Sequence, residues 1–256
     1  MFRTWLALAV LFACAAWGQA PSYTAASIVN ASNFAPGPFA ANSVLSLFGT
    51  NLSFDTLNAD LSAGDSLPTQ LAGVSVFVNG SVTPLLFVSP GQINFLFPVT
   101  AALGDTPVTV VRNGNNGPTV TVTVVAAAPQ LFTDSTGFAI AEDWNTGYAQ
   151  ITASAPAQPG DIVILFATGL GAVMPKAITG QAATTASPIS GSGALTVTLN
   201  GTALDPSAVL YAGLSPGSVG LYQINVVLPP NPGTNPQVQV SLGGQTSAAG
   251  CQLSVN

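Results

Sequence analysis

The chain reads as an all-β protein of two tandem immunoglobulin-like (IPT/TIG-like) β-sandwiches produced by an internal duplication. Three observations predict this. The stretch QINFLFP at residues 92–98 returns as QINVVLP at residues 223–229. Ahead of each copy, a run that alternates apolar and polar residues stops at Asn-Gly, Asn79-Gly80 in the first half and Asn200-Gly201 in the second. The composition, with 26 Gly and 20 Pro among 256 residues, favours short strands and tight turns over helices. No amphipathic helical pattern of useful length follows residue 20.

Residues 1–20, MFRTWLALAVLFACAAWGQA, carry one early cation, an apolar run from Leu6 to Ala16, and small residues at Gly18 and Ala20. This is the layout of a secretory signal peptide, with cleavage expected after Ala20. The apolar run is shorter than the roughly 20 residues that a spanning helix needs, and no later stretch approaches that length, so no transmembrane span is predicted. An alternative takes LFAC at residues 11–14 as a lipoprotein box, which would anchor the chain through Cys14. The first sandwich is then expected over residues 21–128 and the second over residues 129–256.

A first strand is expected around Ser27 to Asn30, followed by a Pro/Gly turn. SVLSLFGTNL at 43–52 is a buried strand, and DIVILFATGL at 161–170 is its counterpart, with Leu47 and Phe48 matched by Leu165 and Phe166. Asp55, Asp60 and Asp65 punctuate a polar loop over 53–70. GVSVFVNG at 73–80 sets Val74, Val76 and Val78 on one face; ALTVTLNG at 194–201 does the same with Leu195, Val197 and Leu199. Asn-Gly supplies the two positive φ angles of a type I′ hairpin turn, so PLLFV at 84–88 and AVLYA at 208–212 are expected as the returning strands.

In the repeated QIN strand, period two places Ile93, Phe95 and Phe97 inward and Gln92 and Asn94 outward. Ile224, Val226 and Leu228 repeat the inward set, and Gln223 and Asn225 the outward one. Just before it, SPG at 89–91 becomes the longer Gly-rich loop GLSPGSVGLY at 213–222. The join falls near AAAPQLF at 126–132, and so short and apolar a linker predicts two sandwiches that pack together. Residues 133–160 have no visible counterpart in the first half. FAIAED at 138–143 and GYAQIT at 147–152 form a predicted hairpin around residues 144–146, expected to supply the entry strands of the second sandwich.

Composition also excludes function classes. The formal charge is −6, and only Arg112 and Lys176 remain as cations beyond the leader. Neutralising phosphates takes clustered Lys and Arg, so nucleic acid is not a partner. The chain has no histidine, which removes Ser-His-Asp, Cys-His and His-ligated metal chemistry. A Ser-Lys arrangement could use only Lys176, whose bland reading is a solvated loop lysine. Paired carboxylates for glycoside hydrolysis are formally available among Asp55, Asp60, Asp65, Asp134, Glu142, Asp143, Asp161 and Asp205. The loop aspartates 55, 60 and 65 are five apart, unlike the alternating ligands of a calcium loop, and read as solvated charge. Cys251 is left unpaired once Cys14 is removed, and reads as a small buried hydrophobe.

Two polar or aromatic constellations compete as binding elements. The outward amides Gln92, Asn94, Gln223 and Asn225 could bind sugar hydroxyls, but a duplicated pattern fits a scaffold that satisfies its own backbone. Trp144, the one tryptophan beyond the leader, sits across the predicted hairpin from Tyr148. If exposed, this pair is a sugar-stacking platform; the alternative is packing between the sandwiches.

GTNL, LPTQLAGVSVFVNG, FVSPGQINFLFP, VTVVRNG, PGDIVILFATGLG, VLYAGLSPGSVGLYQINVVLP and VSLGGQTS, in that order, resemble an uncharacterised family. It is the C-terminal domain family of secreted proteins described from Solibacter and other acidobacteria, and the match covers about residues 25–256. Each half is also similar to the IPT/TIG class through its Gly-Thr-x-Leu and Asn-Gly pieces. The resemblance implies an exported β-sandwich protein and assigns no chemistry. Together these readings predict a non-catalytic secreted or cell-envelope protein without cofactor, acting in adhesion, surface display or assembly. Its partners would be a cell-surface or extracellular protein, a polysaccharide, or a second copy of itself. The alternatives are a carbohydrate-binding module and, last, a glycoside-acting enzyme.

Overall fold

The structure is a computed structural model that describes residues 18–60 and 66–256. The leader through residue 17, with Cys14, and Asp65 of the aspartate loop lie outside the described residues. The chain is all-β, in two tandem immunoglobulin-like sandwiches. In the first, one sheet runs in the order Ile28–Asn30, Val44–Phe48, Gln92–Leu96, Leu85–Val88, Leu57–Asn58. The facing sheet runs Phe39–Ala40, Val120–Val125, Gly104–Arg112, Val74–Val78, Ser81–Thr83. In the second, Ala141–Asp143, Ile162–Thr168, Tyr222–Val227 and Val209–Leu214 build the sheet that corresponds to the first of these. Thr196–Leu199 and Val238–Leu242 form the centre of its partner.

The duplication holds residue by residue. Leu47 pairs with Ile93 and Phe48 with Gln92; Leu165 pairs with Ile224 and Phe166 with Gln223. Even an irregularity is shared, since a bulge interrupts the ladder between Leu85 and Phe87 and again between Val209 and Tyr211. The inward face is the predicted one, with Ile93, Phe95 and Phe97 buried in one core and Ile224, Val226 and Leu228 in the other. Burying a side chain of this size contributes about 1.5–3 kcal/mol, so these strands anchor both sandwiches. At the hairpins, Asn79 and Gly80 have φ of 48° and 77°, and Asn200 and Gly201 have 48° and 79°. Both pairs therefore take the double left-handed geometry that Asn-Gly favours.

Two expectations are corrected. The strands that return from the Asn-Gly turns are the short Ser81–Thr83 and Thr202–Ala203, not PLLFV and AVLYA. Leu85–Val88 and Val209–Leu214 pair instead with the QIN strands of the opposite sheet. The chain switches sheets at Pro84, whose ring removes the N–H that would continue the first ladder. Thr83 assists by donating its hydroxyl to the Leu96 carbonyl of that other sheet. In the second copy a 3-10 turn at Pro206–Ala208, capped by the Asp205 carboxylate, occupies the same step.

Nor are residues 133–160 wholly new to the second half. Glu142 pairs with Ile164 just as Val29 pairs with Ser46 in the first half, so Ala141–Asp143 is the structural counterpart of Ile28–Asn30. The sequences of these three-residue strands differ at every position, which hid the correspondence.

The sandwiches are joined through a small apolar seam. Val44 and Leu96, on the outer face of the first QIN sheet, pack with Leu67 and with Val219 of the second sandwich. The Gly-rich loop at 213–222 thus serves the join. Gly220 sits so close that an added Cβ would lie 2.3 Å from Leu96 Cδ1, and its φ is +67°. Polar contacts continue the seam. The Val44 N–H donates to Thr168 Oγ1 at 3.1 Å, and Asn42 Nδ2 donates to the Tyr222 hydroxyl at 3.3 Å. Tyr222 in turn donates to the Gly171 carbonyl at 2.6 Å. Gln130 Oε1 accepts from Asn33 Nδ2 at 2.8 Å and from the Ala248 N–H at 3.0 Å.

Candidate functional site

Trp144 and Tyr148 lie at the tip of the hairpin between Ala141–Asp143 and Ala149–Gln150, 49% and 52% exposed, so neither packs between the sandwiches. Their rings meet edge to face, 5.1 Å between centroids and 67° between planes. Such a contact is worth about 0.5–1.5 kcal/mol beyond buried area. The turn beneath them is tightly specified. The buried Asp143 carboxylate accepts from the Asn145 N–H at 2.8 Å, and its carbonyl accepts from the Tyr148 N–H at 2.9 Å. Asn145 Oδ1 accepts from the Ile162 N–H of the neighbouring strand at 2.8 Å. Tyr148 is thereby held at φ +68°, a left-handed conformation that costs a bulky residue of order 1–3 kcal/mol.

The first sandwich carries the same device. Asn30, in the place of Asp143, is buried, and its Oδ1 accepts from the Ser32 N–H at 3.0 Å. Its carbonyl accepts from the Phe34 N–H at 2.9 Å. Phe34 has φ +58°, is 58% exposed, and meets Phe48 edge to face at 5.6 Å. Phe34 is therefore the counterpart of Tyr148. Phe34 was not singled out from the sequence, and Phe48, read there as part of a buried strand, is exposed at the strand's end; the available signal was the Asn-x-Ser of residues 30–32, which resembles an Asx turn.

The outward amides satisfy one another. Gln92 Nε2 donates to Asn94 Oδ1 at 2.8 Å, Ser46 Oγ donates to the same oxygen at 2.9 Å, and Gln223 Nε2 donates to Asn225 Oδ1 at 3.0 Å. Each pair is thus bonded along its own strand, which leaves Asn94 Nδ2 and Asn225 Nδ2 outside these bonds.

Several carboxylates act as local turn caps. Asp134 accepts from the Thr136 hydroxyl and N–H and from the Phe138 N–H, and these bonds, the hydroxyl first, lower its pKa. The Ser207 hydroxyl and then its N–H do the same for Asp205. A glycosidase general acid needs the opposite shift. Asp55 and Asp60 are exposed, and among the described residues no three acidic or Cys groups gather as a metal site. Lys176 lines the wall of a cavity of about 210 Å³ at the join, together with Ser190, Val173 and Tyr222. No hydrogen bond links Lys176 to Ser190, and the lysine is exposed. Cys251 is buried, and that burial, with a smaller contribution from the Asp134 charge, pushes its thiol up to about 12. It is a core residue and not a nucleophile.

No family model matches the chain, and no curated protein matches it. Among solved structures it is similar to the surface glycan-binding protein PbSGBP-B from Prevotella bryantii, at 13% identity and TM-score 0.29 over 92% of this chain and 42% of that one. It is also similar to the SGBP-B of a mixed-linkage glucan utilization locus in Bacteroides ovatus, at 10% identity and TM-score 0.33 over 84% and 44%. Domains 5–6 of the S-layer protein SbsC match at 16% identity and TM-score 0.27 over 85% of this chain and 91% of that chain. The chain spans less than half the length of the two glycan-binding proteins. No helix among the described residues is long and apolar enough to cross a membrane.

Proposed function

We propose that this is a non-catalytic exported protein, of the secreted Solibacter-type family, that holds polysaccharide at the cell envelope through its aromatic turns. One observation carries the reading: each sandwich spends backbone strain to hold an exposed aromatic at positive φ, Tyr148 against Trp144 and Phe34 against Phe48. Strain of this kind persists where the surroundings enforce it, and it gathers at ligand sites. Pyranose rings offer flat C–H faces to stack on such rings, and the near-absence of charge suits a neutral glycan better than an ionic partner.

Trp144→Ala is expected to weaken binding to a neutral polysaccharide by about tenfold, or 1.4 kcal/mol, measured by retardation in polysaccharide-containing gels. Phe34→Ala gives a smaller loss, and the double variant a larger one. Unchanged retardation of the double variant, with its fold intact by circular dichroism, rejects the reading. Self-association of the parent without polysaccharide binding would favour assembly instead.

A further inference from the structure

Arg112 ends the strand Gly104–Arg112 and is 2% exposed, although the chain has only three Lys and Arg residues. Its Nη1 donates to the Asn51 carbonyl at 2.7 Å and its Nη2 to the Gln19 carbonyl at 2.5 Å. The guanidinium lies over the Phe54 ring, 4.0 Å from its centroid, and Nε is buried without a partner. Two neutral carbonyls and a ring face thus hold a buried cation, and losing a partner from such a group is costly. One of the carbonyls belongs to Gln19, within the stretch that the leader reading removes.

Gln19 is engaged a second time, because its Oε1 accepts from Asn51 Nδ2 at 3.2 Å. The chain then continues as part of the sandwich: Pro21 is buried, and Ser22 and Thr50 exchange both backbone hydrogen bonds, at 3.0 and 2.9 Å. Gln19 thus contacts the sandwich although it lies ahead of the expected cut after Ala20.

We infer that the exported chain is cut between Gly18 and Gln19, which makes Gln19 the first residue of the mature protein, with Arg112 as the lock that holds it. The sequence supports this independently of the contacts. Ala16 and Gly18 are the small pair that an A-x-A-like cut requires. A cut after Ala20 would place Pro21 directly behind the scissile bond, as a tertiary amide without the N–H and with a restricted residue before it.

The step is hydrolysis by an export-linked peptidase. The C–N bond between Gly18 and Gln19 breaks, and water supplies the hydroxyl of the new Gly18 carboxyl and a proton to the Gln19 amine. A neutral amine can attack the Cδ of its own side chain, expel ammonia and close an uncharged lactam.

The test is to express the full precursor in an exporting bacterial host and to identify the first peptide of the exported chain by mass spectrometry. A peptide that begins at Gln19, as the free amine or lighter by one ammonia, is the expected result. A start at Pro21, or at a lipid-modified Cys14, overturns the inference. Two substitutions in the precursor separate the cuts: Ala16→Leu removes a small residue that only the inferred cut uses, and Ala20→Leu one that only the other cut uses. Loss of processing in A16L with normal processing in A20L supports the inference, and the reverse pattern refutes it.

Discussion

The turn after Asn30 and the turn after Asp143 share a cap and differ in length by one residue and in what they display. Both use a buried Asx side chain to cap the turn, and both close on an exposed aromatic at positive φ. In the first, the second ring comes from Phe48 on a neighbouring strand; in the second it comes from Trp144, within the turn itself. The QIN strands show the reverse: their outward amides are retained and bond each other along the strand. Duplication has kept the capping and ladder chemistry, while the displayed rings have been free to change.

The sharpest way to break the comparison is to empty the two cores separately. Phe95→Ala is expected to cost about 3–5 kcal/mol and Ile224→Ala about 2–5 kcal/mol, measured by urea unfolding. Because the seam ties the sandwiches together, each variant should lower the midpoint of a single shared transition. Two separated transitions in the parent would mean that the halves fold independently.

Next comes the join itself. Tyr222→Phe leaves the Gly171 carbonyl and the Asn42 amide without their partner, with an expected loss of about 1–3 kcal/mol. No equivalent variant exists in the first half, where Gly91 precedes Gln92.

Alkaline pH reads out the buried groups of the second half. The Cys251 thiol has an ordinary pKa of 9.0, raised to about 12 by burial. Above pH 9 the unfolded chain has therefore released a proton that the folded chain retains. Stability falls as pH rises from about 9 to about 12, by at most about 1.4 kcal/mol per pH unit, and below 9 the thiol contributes nothing. Cys251→Val should remove that slope between 9 and 10. The Tyr222 hydroxyl, raised from 10.0 to about 12 by burial against the lowering effect of Asn42, maintains a similar decline at higher pH.

The smallest effect is expected from Tyr148→Gly. Relief of the positive φ is worth about 1 kcal/mol or more, and loss of the ring contact costs about 0.5–1.5 kcal/mol. Thermal melts should barely move, while polysaccharide retardation falls as it does for Trp144→Ala.

What could be read from the sequence was what a local rule governs. Asn79-Gly80 and Asn200-Gly201 announce their turns because few other pairs accept two positive φ angles, and the QIN strands announce their faces by period two. PLLFV misled because an apolar run names a strand but not its sheet, and Pro84 marks the switch only once the partner strand is known. Ala141–Asp143 was legible as an entry strand, but its match to Ile28–Asn30 was not, because that likeness lies in ladder position and not in residue type. Trp144 and Tyr148 could be named as a pair, but their exposure and the first-half counterpart at Phe34 depend on how the turn is capped. Arg112 was counted as a charge, and nothing local hints that it is buried, since its carbonyl partners lie 61 and 93 residues away.

Gln130 holds the Phe34 turn and the Ala248 loop of the second sandwich at once, through Asn33 and Ala248. On the proposed reading this makes avidity a property of the join. A chain long enough to touch both aromatic turns binds the second at high effective concentration, and a short oligosaccharide gains nothing from it. The preference for polymer over fragment is then set by a join that touches neither.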